Sequence, residues 1–389
     1  MGGMFFSTVV VITLEDNVGW AAGFGVLAAT MAFALILFVM GNKRYKIQGA
    51  MGSPFTMVAH VLVAAFRKWD INTRDHNLDG WDICYEEIGG APAKDRGSFA
   101  CTKQFRFLDK AMIIDAVDAS RNTRNPWRLC SLSQVEEVKL FIRLIPIWLS
   151  SLIFTNVNCM FSTFFIKQGG TMIRSIGSLH FPPSGLQCLV AILIIITILI
   201  YDIVFVPTVR KVTGHPCGIT ILQRIGIGLC GSVLQMVVAA LVETKRVSAA
   251  KEYGLLDMPK AIIPISVWWL LPQYVIGAVA DVFTLVGLPQ LFYDEMPKAL
   301  RSLGGACYLS AIGVGSFLNS AIISIVQAIS SRCGSRWLGD NLNHAHLDYF
   351  YWLMAALGTL NLCVYLLIAR SFVYRKVEGD EENDENGLH

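Results

Sequence analysis

Residues 262–288 read IIPISVWWLLPQYVIGAVADVFTLVGL, and Asp281 is the only charge among them. Wound as an α-helix at about 1.5 Å per residue, the run is roughly 40 Å long, enough to cross a hydrocarbon core of about 30 Å. Trp268 and Trp269 stand near its start, where an indole keeps its ring among headgroups and its N–H in water. The run is therefore read as a membrane span. Others like it flank it: Gly19 to Gly41, Leu144 to Ile166, Ser184 to Val206, Ile225 to Val242, Leu303 to Ile329 and Tyr349 to Ala369. Together they make seven spans, and a further apolar piece from Met4 to Leu14 is too short to cross.

The totals agree with a membrane protein. The chain has 389 residues, 54% of them hydrophobic and 16% charged, and a mean hydropathy of +0.52. A soluble domain of this size has no core large enough for that excess. The net charge is +3, and no basic stripe interleaved with aromatics is present, so nucleic acid is not an expected partner. None of the 10 cysteines forms a C-x-x-C pair, and Cys159, Cys188, Cys230, Cys307 and Cys363 fall inside apolar runs, where a thiol acts as a small hydrophobe. Neither a disulfide framework nor a zinc site is signalled. No cleavable signal peptide is expected, because the first residues lack a basic region and a small-residue cleavage site.

Orientation follows from the basic residues near the span ends. Lys43, Arg44, Lys46, Lys139, Arg143, Arg210, Lys211, Arg224, Lys298, Arg301, Arg370, Arg375 and Lys376 gather on one side, against Lys167, Arg174, Lys245, Arg246, Lys251, Lys260, Arg332 and Arg336 on the other. The long loop between the first two spans, together with the C-terminus, is therefore expected in the cytosol. Within that loop SPFTMVAHVLVAAFRKW, residues 53–69, offers Ser53 and Pro54 as N-cap and first helical position. Val58, Val61, Leu62, Ala65 and Phe66 then share one helical face, which predicts an amphipathic helix lying on the membrane or on the cytosolic helix ends. Residues 70–104 read as a flexible linker and 378–389 as a disordered acidic tail.

Ionisable residues inside spans are costly and are functional candidates by default. Asp281 sits nearer the cytosolic end of its predicted span, which closes at Leu288. It is either a carboxylate satisfied by a Ser, Thr or Asn of a neighbouring helix, or a proton or substrate site, since a low-dielectric cavity favours the protonated acid. Asp202, close to the end of its span and followed by Arg210 and Lys211, suits an anion that pairs with basic loop residues as a cytosolic latch. Asn158 and Ser162, four apart, offer an amide and a hydroxyl on one helical face, for lining a polar cavity or for bonding helix to helix.

Other motifs carry little chemistry. GIGLCG, residues 226–231, fits G-x-G-x-x-G, but it lies inside a span with no preceding strand, so close helix packing is expected rather than a dinucleotide. His344 and His346 alone are a weak metal signal. Nucleophile elbows, H-E-x-x-H and Walker loops do not occur, so no enzyme and no metal site are expected.

Seven stretches carry a resemblance in consistent order: EDNVGWAAGFGV (15–26), FRFLDKA (105–111), VEEVKLFIRLIPIW (135–148), STFFIKQG (162–169), YDIVFVPTVRKVTGHPCGITILQRIGIG (201–228), FYDEMPKALRSLG (292–304) and LNHAHLDYFYWL (342–353). They resemble the plant nitrate and peptide transporter family, the plant branch of the proton-coupled oligopeptide transporters within the major facilitator superfamily. The resemblance implies an all-α integral membrane fold, with the superfamily's C-terminal six-helix bundle and a remnant of its N-terminal bundle. Residues 1–41 would be that remnant (the end of helix five, then helix six), 42–134 the cytosolic linker, 135–377 the six-helix bundle and 378–389 the tail. It implies an N-terminally truncated member lacking helices one to four, and the family's E-x-x-E-R motif occurs nowhere in the sequence.

Carried over by position, Asp281 falls where the family usually has a cavity-facing glutamate of helix ten, which engages the amino group of peptide substrates. Asn158 falls where a nitrate-transporting member has a histidine. Gln290 replaces a common glutamate, Ile203 replaces the basic residue that usually follows Asp202, and Arg210, Lys211, Arg224 and Arg301 match. The resemblance implies a proton-coupled symporter of nitrate, di- or tripeptides or other small organic solutes, with protons as coupling ion and no other cofactor. Asp281, Asn158, Gln273, Tyr274 and Ser162 would line the cavity, and Asp202, Arg210, Lys211 and Arg301 would form the latch. The expected setting is the plasma or vacuolar membrane, with lipid, a small-molecule substrate and other membrane chains as partners. The alternative is a non-transporting fragment.

Overall fold

The computed structural model describes residues 18–41, 54–70, 104–113, 125–176, 179–180, 185–214, 218–259, 261–296, 301–332, 337–339 and 341–372, with positions 11, 14 and 15. Most of the stretch expected to be a flexible linker and all of the acidic tail lie outside the described residues, as does Ser53. Eight helices are numbered here in chain order: α1 Trp20–Gly41, α2 Pro54–Arg67, α3 Leu132–Gly170, α4 Gly185–Thr213, α5 Ile221–Glu252, α6 Val267–Asp294, α7 Arg301–Arg332 and α8 Leu347–Ser371. Among the described residues, all but α2 are long and apolar enough to cross a membrane, matching the seven spans expected.

Boundaries differ from the hydropathy reading where polar residues continue a helix. α4 does not end at Val206 but runs to Thr213, so Arg210 and Lys211 sit on its last turn rather than in a loop. Pro207 has no N–H to give, and the π-helical turn Tyr201–Phe205 just before it takes up the mismatch. α5 begins at a capping box: Thr220 accepts from the Gln223 N–H while the Gln223 side chain accepts from the Thr220 N–H.

The chain forms two compact units, residues 1–48, 148–291 and 308–370 in the first, and 49–147, 292–307 and 371–389 in the second. The core of the first is built from aromatic and small side chains. Phe161 stacks on Tyr274 at 5.8 Å, and Phe165 meets Tyr274 and Tyr351 edge-on at 5.6 and 5.8 Å. The GIGLCG run packs as expected: a Cβ on Gly228 would lie 2.0 Å from Thr284 Oγ1 and one on Gly231 2.8 Å from Ala280 Cβ. Glycine is required there because α5 and α6 touch backbone to backbone. Polar ties reach across as well, from Tyr365 OH to the Leu222 carbonyl (2.7 Å) and from Asn361 Nδ2 to the Ser150 carbonyl (2.9 Å). A short parallel pairing of Met172–Ile173 with Ile263–Ser266 joins the end of α3 to the start of α6.

In the second unit α2 packs on a 3₁₀ helix, Arg106–Met112, and on the start of α3. Its buried stripe is Val61, Ala64, Ala65 and the stem of Lys68. Of the expected apolar face, Val61 and Ala65 are buried, and Leu62 and Phe66 point outward. Two alanines side by side let the 3₁₀ helix approach closely, which a Leu–Phe pair would not. Lys139 lies between Asp109 (2.6 Å) and Glu136 (2.7 Å). Burial pushes the Asp109 carboxyl above its ordinary range, and Lys139 pulls it back.

Candidate functional site

Asp281 is set by the length of α6. It lies fourteen residues after Val267 and thirteen before Asp294, so it occupies the middle of the helix. The helix does not close at Leu288 but continues through Pro289 to Asp294. Its carboxylate accepts a hydrogen bond from Asn158 Nδ2 of α3, Oδ1 to nitrogen 2.5 Å. Both side chains are half-buried. Among the described residues no basic group forms an ion pair with Asp281.

Asn158 marks a change in α3. The α-helix Leu132–Asn158 gives way to a 3₁₀ turn, Cys159–Ser162, and resumes at Phe164. The turn alters the angular step per residue, so Asn158 and Ser162 no longer share the face that an unbroken α-helix would give them. Ser162 is exposed and its hydroxyl donates to the Cys159 carbonyl at 3.1 Å. The structure thus joins Asn158 to Asp281 but not Ser162. Breaks of this kind occur in spans where irregular backbone lines a polar site.

Tyr274 stands two turns before Asp281 on the same side of α6. It is fully buried between Phe161 and Phe165, and its hydroxyl meets no partner among the described residues. Gly277, between them, makes room for the Gln235 amide: a Cβ there would lie 2.3 Å from Gln235 Nε2.

Gln273 belongs to a different cluster, one that hydropathy did not reveal. Its Nε2 donates to Gln168 Oε1 (3.2 Å), and Gln168 Nε2 donates to Glu243 Oε2 (2.7 Å). Glu243 also accepts from Arg246, Nε to Oε2 at 2.8 Å and Nη2 to Oε1 at 2.6 Å. The remaining Arg246 N–H groups reach Thr171 Oγ1 (3.0 Å), Asn343 Oδ1 (2.8 Å) and the Leu342 carbonyl (2.8 Å). Glu243 and Arg246 are both fully buried. The reading that ended the span at Val242 left them in a loop, although the buried positions Ser232, Met236, Ala239, Glu243, Arg246 and Ala250 keep one helical period.

Of the residues named for the latch, Asp202, Arg210 and Lys211 form no ion pair with one another. Asp202, Arg210 and Lys211 are exposed and form no ion pair with a described residue, and the side chain of Arg301 lies outside the described residues. A contact joining these helices runs instead through Arg224, whose Nη1 donates to Gln290 Oε1 (2.8 Å) and whose guanidinium lies 5.6 Å over the Tyr201 ring. Among the described residues no group of three or more His, Cys, Asp or Glu is placed to hold a metal. His346 instead stacks on Tyr349 at 5.0 Å.

Comparison with known proteins bears on the same chain. The model of the POT family matches residues 1–338. Protein NRT1/ PTR FAMILY 5.4 of Arabidopsis thaliana is 47% identical over 387 residues, covering 98% of this chain and 69% of its own length. NRT1/ PTR FAMILY 5.13 of the same plant is 41% identical, covering 97% of this chain and 65% of its own length. The chain thus spans about two thirds of the length of the curated relatives it matches. Among solved structures, the crystal structure of an auto-inhibited POT family peptide transporter aligns with a TM-score of 0.58 at 15% identity, over 95% of this chain and 68% of that one. The in meso crystal structure of the POT family transporter PepTSo aligns with a TM-score of 0.57 at 17% identity, over 95% and 68%. At such identities these likenesses establish the fold alone.

Proposed function

The chain belongs to the POT family, a family of transporters and not of enzymes, and from that premise we propose that it works as a proton-coupled symporter of a small solute. The observation that carries the proposal is Asp281: a carboxylate at the middle of a membrane-spanning helix, with one amide donor and no ion-pair partner among the described residues. An anion so placed is neutralised either by a proton or by a cationic group of a ligand; in symport the proton that an entering ligand displaces passes to a second group and crosses with the ligand. Asn158 positions the carboxylate, and the 3₁₀ turn beside it supplies irregular backbone to the pathway.

Nitrate, di- and tripeptides and other small organic solutes are the candidate substrates. A solute bearing an amino group matches the carboxylate better than nitrate, which among the described residues would meet an acid and an amide and no paired cation. α1 is the last helix of a first bundle, and residues 135–377 form a second. The loop between α1 and α3 and the C-terminus lie in the cytosol, and the chain resides in the plasma or vacuolar membrane. A latch among Asp202, Arg210, Lys211 and Arg301 would use partners beyond the described residues.

Uptake by cells expressing this chain, with and without an inward proton gradient, tests the reading. The expected result is gradient-dependent accumulation of a peptide or amino-bearing solute that falls at least tenfold in Asp281→Asn. Membrane-inserted protein with no uptake of any candidate solute overturns it.

A further inference from the structure

Helix α2 has two apolar faces, and its small core uses only one. Val61, Ala64 and Ala65 are buried against the 3₁₀ helix and the start of α3. On another side Phe55, Leu62 and Phe66 are 67%, 41% and 77% exposed, and Trp69 in the following turn is 59% exposed. At about 100° per residue these four positions fall within an arc of roughly 60°. They form a continuous outward stripe of one leucine, two phenylalanines and one tryptophan, the composition that favours a membrane interface.

Cations rim one end of the stripe. Lys110 Nζ lies 5.5 Å over the Trp69 ring and donates to the Trp69 carbonyl, and Arg67 and Arg106 are exposed. Of the acids nearby, Asp109 is buried and paired with Lys139, which leaves Asp70 as the exposed opposing charge among the described residues of this segment. Chain length limits how far the helix can lie from a span. Twelve residues separate Gly41, the end of span α1, from Pro54, a tether of at most about 45 Å. A tethered amphipathic face meets the membrane at high effective concentration, so modest affinity suffices.

We propose that the outward stripe Phe55, Leu62, Phe66 and Trp69 docks into the headgroup layer of an anionic membrane surface, with Lys110 and Arg106 among the lipid phosphates. The helix then joins two anchors, its inner face to the 3₁₀ helix and α3, its outer face to lipid. Lipid charge would set how firmly this segment is held.

The test uses the full chain reconstituted into phosphatidylcholine vesicles, with or without one third phosphatidylglycerol. Nitroxide labels go on Leu62→Cys, Phe66→Cys, Thr56→Cys and Arg67→Cys in a background lacking other cysteines. All four positions are exposed, so the labels leave the small core untouched. At 62 and 66, collision with oxygen should exceed collision with a water-soluble nickel chelate severalfold, with the reverse at 56 and 67. Phosphatidylglycerol should raise the ratio and salt should lower it. In the unlabelled chain, quenching by brominated lipid should fall in Trp69→Phe. Free access of the nickel chelate at 62 and 66 overturns the proposal. So does protection from both reagents, which would mean a protein surface covers the stripe, and so does indifference to lipid charge.

Discussion

Glu243 and Asp281 are carboxylates on adjacent helices of one unit, held in opposite ways. Glu243 has three donors on its two oxygens, and its cation Arg246 spends all five N–H groups on Glu243, Thr171, Asn343 and the Leu342 carbonyl. Asp281 has one amide donor, and no ion pair with a described residue. A buried charge neutralised so completely fixes a geometry. A carboxylate satisfied by one amide keeps lone pairs and charge in reserve, which suits exchange with a proton or a ligand. The first ties α3, α5, α6 and the segment before α8 together, and the second gives the fold little.

The largest effect should come from breaking the first cluster. Arg246→Met leaves Glu243 as an uncompensated buried charge, and the expected cost is about 3–5 kcal/mol. In detergent this should appear as a steep fall in unfolding temperature, or as loss of folded protein on size exclusion. Glu243→Leu added to Arg246→Met should recover part of the loss, because no orphan charge then remains. A silent Arg246→Met would erase the contrast.

A smaller effect is expected at the second cluster. Asn158→Leu removes the hydrogen bond from Asn158 to Asp281, and leaving that acceptor unmet should cost about 1–3 kcal/mol. In an Asp281→Asn background the same change should cost distinctly less, since the group left behind is neutral. Unfolding temperatures of the four proteins close the cycle. Strict additivity would mean that Asn158 does not hold Asp281.

The spans and Asp281 were legible in the sequence because a bilayer imposes one simple demand, about 20 apolar residues in a row. Asp281 stood out for the same reason: it interrupts such a row. The Glu243–Arg246 cluster was hidden because it lies where hydropathy falls, and a hydropathy window reads falling values as loop. The helical period of its buried positions was the available signal, and it requires following one face past the end of the apolar run. Ser162 failed as a partner of Asn158 because the 3₁₀ turn between them changes the period, and nothing in the run CMFS announces that turn. Of the apolar face expected of α2, the closeness of the 3₁₀ helix selects Val61 and Ala65 for burial and leaves Leu62 and Phe66 outward.

Tyr274 stands between the two clusters, one position after Gln273 and seven before Asp281, and the smallest expected effect decides which it serves. Its hydroxyl is fully buried with no partner among the described residues. A buried hydroxyl without a bond contributes no stability, so Tyr274→Phe should leave the unfolding temperature unchanged or slightly raised, within about 1 kcal/mol. If the hydroxyl works with Asp281, through a ligand or a bridging water, uptake should fall severalfold while the fold is untouched. Destabilisation comparable to that of Arg246→Met would instead assign Tyr274 to the structural cluster and move the boundary between the two regions one turn closer to Asp281.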